Sequence, residues 1–132
     1  MVEGQVIGAI ERGLLALIGI EREDTESNAE RLAKRLAGYR IFDDDEGRMN
    51  RSLADIGGGL LLVPHFTLAA DTRKGARPSF SSAAPPQIAT ALFDDLVKRA
   101  RARHTCVATG RFGAEMLVAL VNHGPVTFWL QA

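Results

Sequence analysis

The sequence predicts an α+β protein with a mostly antiparallel, barrel-like β-sheet core and two helices. Short apolar or alternating runs, typical of strands, occur near both ends of the chain and in its middle. Two other segments show the apolar spacing of amphipathic helices. The elements follow the order strands, helix, strand, helix, strands, which favours an antiparallel sheet over a doubly wound fold.

The first two strands are predicted at residues 5–10 and 14–20, joined by a turn at 11–13. Gly57-Gly58-Gly59 leads into an apolar strand at 60–63. Because these glycines precede a strand and do not open a helix, they do not indicate a dinucleotide-binding site. Three more strands are predicted at residues 105–109, 115–121 and 126–131.

The two helices have recognisable ends. The first is predicted at residues 25–36, with Ser27 and Glu30 as a capping box. The second begins at Pro85-Pro86, since proline is tolerated in a first helical turn. It ends in a strongly basic stretch at 98–104, which suits a helix carboxyl terminus.

Composition indicates one domain spanning residues 1–132. The chain has 16 Lys plus Arg and 16 Asp plus Glu, so no global positive field holds it to nucleic acid, although a local basic patch is compatible with this balance. A single cysteine, Cys106, suits a reducing, cytoplasmic setting. The longest apolar stretches, 13–20 and 57–63, are too short to span a bilayer, so no membrane partner is expected.

Residues 64–71, directly after the apolar strand, are the first candidate for chemistry. A strand end places side chains and free amides at a sheet rim. Thr67 offers a hydroxyl, the amides near Phe66 and Thr67 can hold a developing oxyanion, and His65 can act as a base or donor. The alternative is that His65 and Thr67 only satisfy local backbone groups, and spacing alone favours this alternative.

Two other segments allow both a functional and a structural interpretation. Gly124-Pro125 separates two predicted strands, and because X-Pro bonds are cis in only about 5–6% of folded cases, statistics favour a trans turn. The functional alternative is a cis turn that aims carbonyls into a neighbouring site. In 109–114, glycines around Arg111 and Phe112 indicate either a close backbone approach or a simple bulge.

No metal site is predicted. His65, His104 and His123 lie far apart in the sequence and lack Cys or carboxylate companions at ligand spacing. The acidic residues 43–47 lack the spacing of a calcium loop and are interpreted as a solvated turn. No nucleophile elbow marks a serine-based triad.

Six short blocks, taken together, resemble the D-aminoacyl-tRNA deacylase family, also called D-Tyr-tRNA deacylases. Each block is weak alone, but their order and spacing over nearly the whole chain are specific. The blocks are Gly38-Tyr39-Arg40-Ile41-Phe42, Gly47-x-Met49-Asn50, Phe66-Thr67-Leu68-Ala69-Ala70-Asp71, Arg77-Pro78-Ser79-Phe80, Thr109-Gly110-x-Phe112-Gly113-Ala114-x-Met116 and Asn122-x-Gly124-Pro125-Val126-Thr127-Phe128.

The resemblance implies a homodimer with active sites at the subunit interface. It implies that Gly124-Pro125 is a cis turn inserted into the partner's site, where its carbonyl oxygens meet the substrate near Cα. An L side chain would collide with these oxygens, whereas a D side chain points away and glycine has none to reject.

The resemblance also implies the reaction, which is hydrolysis of the ester between an aminoacyl group and the terminal ribose of tRNA. Thr67 matches a threonine considered as a nucleophile in the family, but the implied mechanism assigns catalysis to the neighbouring ribose hydroxyl. Amides around Phe66 and Thr67 bind the carbonyl oxygen. Phe66 and Phe128 hold the terminal adenosine or wall the pocket, with His65 at the rim. No metal or organic cofactor is implied.

Two basic segments are candidates for contacts to tRNA phosphates. One is the loop 72–86, with Arg73, Lys74 and Arg77, and the other is the stretch 98–103. The residues are equally consistent with ordinary solvated charges.

Two features depart from the family pattern. Members usually carry Ser-Gln where this chain has Pro64-His65, and proline removes a backbone donor. Members also usually begin with a further strand, which is missing here, so either the chain is shortened or its true start lies upstream. Loss of that strand would expose a sheet edge. These departures leave two alternatives to an active enzyme, namely a non-catalytic module that binds the aminoacyl-tRNA end and a structural dimer.

Overall fold

Strands and helices alternate along most of the chain. The computed structural model describes residues 1–132. In chain order the elements are β1 (Gly13–Ile18), α1 (Glu26–Gly38), β2 (Phe42–Asp43), β3 (Met49–Arg51), α2 (Leu53–Ile56), β4 (Gly59–Pro64), a 3-10 helix (Phe66–Ala69), α3 (Pro86–Arg103) and β5 (Val107–Thr109).

The main sheet is parallel and has the strand order β1-β4-β5. β1 and β4 pair from Gly13 opposite Gly59 to Ile18 opposite Pro64. Parallel neighbours require a crossover connection. α1 and α2 lie in the first crossover and α3 lies in the second. β2 and β3 form a separate antiparallel pair.

The predicted mostly antiparallel, barrel-like core with two helices is therefore wrong. The structure is α+β with three α-helices and a mainly parallel sheet, and no barrel is closed. The prediction took strands that follow one another in sequence as antiparallel neighbours. The helices between β1, β4 and β5 instead return the chain to the same end of the sheet, which makes these strands parallel.

Three predicted strands do not form. Residues 5–10, 115–121 and 126–131 join no ladder. The contacts in these regions include an isolated bridge between Val2 and Gln5 and a hydrogen bond of 2.9 Å from Leu117 N–H to the Met1 carbonyl. The Gln131 carbonyl accepts from an Arg35 side chain at 2.6 Å and not from another strand. Apolar alternation favours a strand only where another strand is available to pair with it.

The helix starts follow from local capping. Thr25 precedes α1, and its N–H donates to Asn28 Oδ1 at 2.8 Å, so Asn28 takes the role predicted for Glu30. α3 starts at Pro86, as predicted. α2 was not predicted, because one turn is too short to display an apolar period.

No helix is both long enough and apolar enough to cross a membrane.

The core lies between the sheet and the two long helices. Its largest fully buried side chains are Leu53, Leu60 and Leu62. Burying a leucine side chain stabilises the fold by roughly 1.5–3 kcal/mol. The buried cluster comprises Ile18, Ala29, Ala33, Leu36, Leu53, Leu60, Leu62, Phe93, Leu96, Val97 and Ala100.

An ion cluster joins α1 to α3. Arg99 lies 2.8 Å from a Glu30 carboxylate oxygen and 2.7 Å from Asp95 Oδ2, and Arg103 also contacts Glu30. The guanidinium groups of Arg103 and Arg99 hold the pKa of Glu30 below its ordinary value. Hydrogen bonds to Glu30 and Asp95 raise the pKa of Arg99.

The opposite face of the sheet has no helix over it, although parallel sheets normally have both faces covered. Leu15, Leu17, Leu61 and Val63 line an open cavity of about 1540 Å³, together with the carboxyl-terminal segment 116–132. The cavity also reaches helix residues such as Leu36 and Leu96. Several large apolar side chains of that segment are exposed. They are Leu117, Val118, Leu120, Val121, Phe128 and Trp129.

Candidate active site

One 3-10 turn at the carboxyl end of β4 carries the residues singled out from the sequence. His65 N–H donates to the Ile18 carbonyl at 2.8 Å, which ties the turn to β1. The turn closes where Leu68 N–H donates to the His65 carbonyl at 3.1 Å. The first N–H groups of a helix have no acceptor within it. Those of Phe66 and Thr67 have no hydrogen-bond partner in the chain.

The side chains of this turn face solvent. His65, Phe66 and Thr67 are all exposed, and neither the Thr67 hydroxyl nor the His65 ring makes a hydrogen bond. A hydroxyl nucleophile needs a base within hydrogen-bond reach, and none stands beside Thr67. The polar groups that the turn offers to a ligand are its amides. No three His, Cys, Asp or Glu side chains converge closely enough to hold a metal ion.

Pro64 lies past the last residue of β4 that pairs with β5. Even-numbered residues of β4 face β5, since Leu60 N–H donates to the Cys106 carbonyl at 2.8 Å. The pairing with β5 ends where Leu62 lies opposite Thr109. Position 64 is therefore at the end of the strand and outside this ladder, where proline is tolerated. This departure from the family pattern leaves the strand intact.

The segment after β5 packs beside the turn. Gly110 N–H donates to the Leu62 carbonyl at 2.8 Å. A Cβ at Gly110 would lie 2.8 Å from Met116 Sδ and 3.4 Å from Pro64 Cδ. The side-chain-free residue is needed for this approach. The structure confirms that residues 109–114 include a close backbone approach.

The Gly124-Pro125 bond is cis, as the resemblance implies. Gly124 has φ +138°, and a Cβ there would lie 2.6 Å from Val126 Cγ2. The Asn122 side chain spans the turn. Its Oδ1 accepts from Val126 N–H and its Nδ2 donates to Thr127 Oγ1, both at 2.9 Å. The turn thus holds its shape through its own contacts.

Within one chain, no hydrogen bond joins this turn to the end of β4. The hydrogen bonds of residues 122–127 stay within that turn. Phe128 packs edge-on against Tyr39, with 5.9 Å between ring centroids. Phe66 instead packs against Phe80, with 5.3 Å between centroids. Phe66 and Phe128 therefore do not share a pocket wall within a single chain.

Phe80 belongs to the block Arg77-Pro78-Ser79-Phe80, and the sequence analysis predicted no role for it. A phenylalanine in a long polar loop was the available signal, because an aromatic residue there has no strand or helix face to fill. The structure brings its ring onto Phe66.

A family profile described as D-Tyr-tRNA(Tyr) deacylase matches residues 1–131 of the chain. The chain belongs to the D-Tyr-tRNA deacylase family. This confirms the family predicted from the ordered blocks, and its enzyme class is that of hydrolases of the aminoacyl-tRNA ester bond.

Relatives within the deacylase family are similar over nearly their full length. A D-aminoacyl-tRNA deacylase of Stutzerimonas stutzeri (strain A1501) is 63% identical over 131 residues, covering 99% of this chain and 90% of its own. Another, of Thioalkalivibrio sulfidiphilus (strain HL-EbGR7), is 64% identical over 130 residues, covering 98% of this chain and 87% of its own.

Two solved structures share the fold of the deacylase family member described here. A c-Myc DNA unwinding element binding protein superposes with a TM-score of 0.95 at 33% identity, covering 100% of this chain and 90% of its own. A probable eukaryotic D-amino acid tRNA deacylase superposes with a TM-score of 0.68 at 18% identity, covering 80% and 77%. The second likeness concerns the fold alone.

Proposed function

We propose that this protein hydrolyses D-aminoacyl-tRNA to free tRNA and a D-amino acid, and that it also accepts glycyl-tRNA. The observation that carries the proposal is the exposed turn after β4, where the N–H groups of Phe66 and Thr67 have no acceptor in the chain. Membership of the deacylase family supports it. The single cysteine suits a cytoplasmic site of action.

Backbone amides supply the electrostatic part of the proposed reaction. Water adds to the ester carbonyl carbon, and the carbonyl oxygen becomes negatively charged. The N–H groups of Phe66 and Thr67 donate to this oxygen. The bond from the carbonyl carbon to the ribose oxygen then breaks, the ribose oxygen takes up a proton, and the D-amino acid leaves as a carboxylate. No metal or organic cofactor takes part in this scheme.

The tRNA supplies the hydroxyl that the protein lacks. Thr67 has no base beside it, whereas the terminal ribose carries a free hydroxyl next to the ester. In our proposal this hydroxyl orients the attacking water, and the protein positions the ester. Phe66 and Phe128 wall the terminal adenosine, with His65 at the rim of the pocket.

The Gly124-Pro125 turn of a partner subunit provides the chiral selection in this proposal. Its carbonyl oxygens fill the space that an L side chain would need, and leave room for a D side chain or for the hydrogen of glycine. Support comes from the exposure of the turn and from the Asn122 side chain, which holds it in one shape.

A homodimer is part of the proposal, because a single chain leaves the turn and the β4 end apart. Support comes from the exposed apolar side chains of segment 117–129, among which Val121 is 93% and Trp129 is 65% exposed. Contiguous exposed apolar surface of this kind marks interaction sites.

The activity is tested by incubating the purified protein with D-Tyr-tRNA, L-Tyr-tRNA and glycyl-tRNA. We expect rapid deacylation of the D and glycyl substrates, while L-Tyr-tRNA decays at the rate without enzyme. Tight binding of D-Tyr-tRNA without turnover would contradict the proposal and would indicate a module that only binds the aminoacyl-tRNA end.

The role of Thr67 is tested separately with Thr67→Ala. Because the amide remains and the hydroxyl has no base, we expect kcat for D-Tyr-tRNA to fall by less than about 10-fold. A nucleophilic threonine would be indicated instead by complete loss of activity in a variant with unchanged thermal unfolding.

A further inference from the structure

The loop between the 3-10 turn and α3 is fixed at the site end of the sheet. Ser82 Oγ donates to the Ala69 carbonyl at 2.8 Å, and Ala84 N–H donates to the Ile20 carbonyl at 3.0 Å. Asp71 and Ser79 pair through two backbone hydrogen bonds of 2.7 and 2.8 Å. The residues between them therefore project from a closed base beside the turn that carries Phe66.

An aromatic pair lies open to solvent at the base of this loop. The rings of Phe66 and Phe80 are inclined at 50° with 5.3 Å between centroids. Phe66 is 60% exposed and Phe80 is 42% exposed. Two large rings that touch each other and still face water form an aromatic surface that nothing in the chain covers. Such surfaces stack nucleic-acid bases.

The loop also carries uncompensated positive charge. Asp71 and Arg73 form a two-bonded ion pair at 2.8 and 2.9 Å, which lowers the pKa of Asp71 to about 2. Arg73 is thereby neutralised. Lys74 and Arg77 are exposed and make no ion pair. The loop that carries Phe80 thus also carries two free cations.

The other basic segment also has two exposed cations without an ion pair, Lys98 and Arg101, but it lies in a different place. Arg99 and Arg103 are held by Glu30 and Asp95 in the α1–α3 ion cluster. The end of α3 also lies at the opposite end of β4, because His104 contacts the Gly58 carbonyl just before that strand. A six-residue strand separates the two ends by about 20 Å.

We propose that residues 71–80 bind the unpaired 3′ strand of tRNA upstream of its terminal nucleotide. A base stacks on the Phe80 ring, next to the terminal adenosine at Phe66, and Lys74 and Arg77 contact the phosphates on either side. Charge complementarity and the exposed aromatic pair select a single strand, since bases in a duplex are not free to stack on protein. This inference rests on the proposed function, which brings the 3′ end to the turn at Phe66.

The test measures binding of an uncharged RNA hairpin that ends in a four-nucleotide 3′ overhang, with a blunt hairpin of the same stem for comparison. The loop variant Lys74→Ala/Arg77→Ala is matched by Lys98→Ala/Arg101→Ala on α3, which removes the same charge. We expect the loop variant to weaken overhang binding by at least 10-fold. For the loop variant, the slope of log Kd against log salt concentration should fall by about 1.4, because each single-strand phosphate contact contributes roughly 0.7 to that slope. The α3 variant should stay within about 2-fold.

A second variant separates stacking from charge. Phe80→Ala should weaken overhang binding by about 10-fold with an unchanged salt slope, and Phe80→Trp should restore it. Phe80 is outside the buried core, so its replacement leaves a folded protein, which thermal unfolding checks. Equal losses in the loop and α3 variants, or equal affinity for the blunt hairpin, would overturn the inference.

Failure of this inference and failure of the proposed function give different results. Binding of uncharged RNA needs no hydrolysis, so it reports on the loop alone. Conversely, a D-tyrosyl ester of adenosine lacks upstream nucleotides, and the wild-type protein and the loop variant should hydrolyse it equally fast. A wild-type protein that spares this ester while binding the overhang would contradict the proposed function and leave the loop assignment standing.

Discussion

The two faces of the main sheet use apolar side chains in different ways. On the face covered by α1 and α3, residues such as Leu60 and Leu62 are fully buried within the chain. On the other face, segment 117–129 leaves residues such as Leu120 and Val121 exposed. The helix face therefore stabilises the single chain, whereas the open face is available for a partner. The following experiments test whether the two faces differ in this way.

The largest expected effect is on the helix face. Leu62→Ala should lower the free energy of unfolding by about 2–5 kcal/mol, because it leaves a cavity in a close-packed core. Leu120→Ala on the open face should stay within about 0.5 kcal/mol when thermal unfolding is measured at low protein concentration. Comparable losses would remove the distinction between the faces.

The open face is tested next through assembly. Val121→Asp should raise the dissociation constant of the proposed dimer by at least about 10-fold, since a buried unpaired charge is costly. The Tm at low concentration should not change. Ala91→Asp, on the exposed side of α3, is the matched control and should keep wild-type self-association in sedimentation experiments. If both variants assemble like the wild type, the open face is not the interface.

Gly124→Ala tests the turn on the open face. A non-glycine residue at positive φ is strained by about 1–2 kcal/mol, and the new Cβ would meet Val126. We expect the distorted turn to allow hydrolysis of L-Tyr-tRNA. Gly47→Ala in the β2–β3 hairpin has φ +77° with nothing near its Cβ, so it imposes similar strain away from the turn. A control variant that loses discrimination equally would argue against the role of the turn.

The smallest expected effect is on thermal stability at acid pH. The pKa of Glu30 is lowered in the folded chain by Arg103 and Arg99. The stabilisation from ionised Glu30 is therefore present above its ordinary pKa of 4.5 and is lost as the pH falls through the lower, folded value. Glu30→Gln should reduce the Tm slightly at neutral pH and flatten its decline below pH 4.5. Asp94→Asn, which removes an unpaired carboxylate of α3, should leave the profile unchanged.

The sequence predicted elements whose signal is local. α1 and α3 appear as apolar stripes because helical packing repeats within each segment. The positions of β1 and β4 were close to those observed, but their parallel pairing depends on the crossover between them and has no local signal. The strands predicted at 115–121 and 126–131 do not form for the same reason, since the sequence of a strand does not identify the strand with which it pairs.

In the candidate site, too, features with a local sequence signal were predicted and features that depend on long-range contacts were not. The segment with Phe66 and Thr67 was a candidate because it directly follows an apolar strand. Spacing alone favoured a structural role, and the ordered blocks, which indicated the family, favoured a functional one. The contact of Phe66 with Phe80 was not predicted, since it depends on how a long polar loop folds back. In our proposal, Gly124 acts on this turn from a second subunit, an arrangement for which spacing within one chain gives no signal.

The two free amides at the end of β4 affect how freely the amino-acid sequence around them can change during evolution. Every amino acid except proline carries a backbone N–H, so the groups that we propose to hold the substrate oxygen belong to the backbone and not to any side chain. Neighbouring positions are then free to diverge. Proline at position 64 illustrates this freedom, because it stands two residues before the first amide that matters.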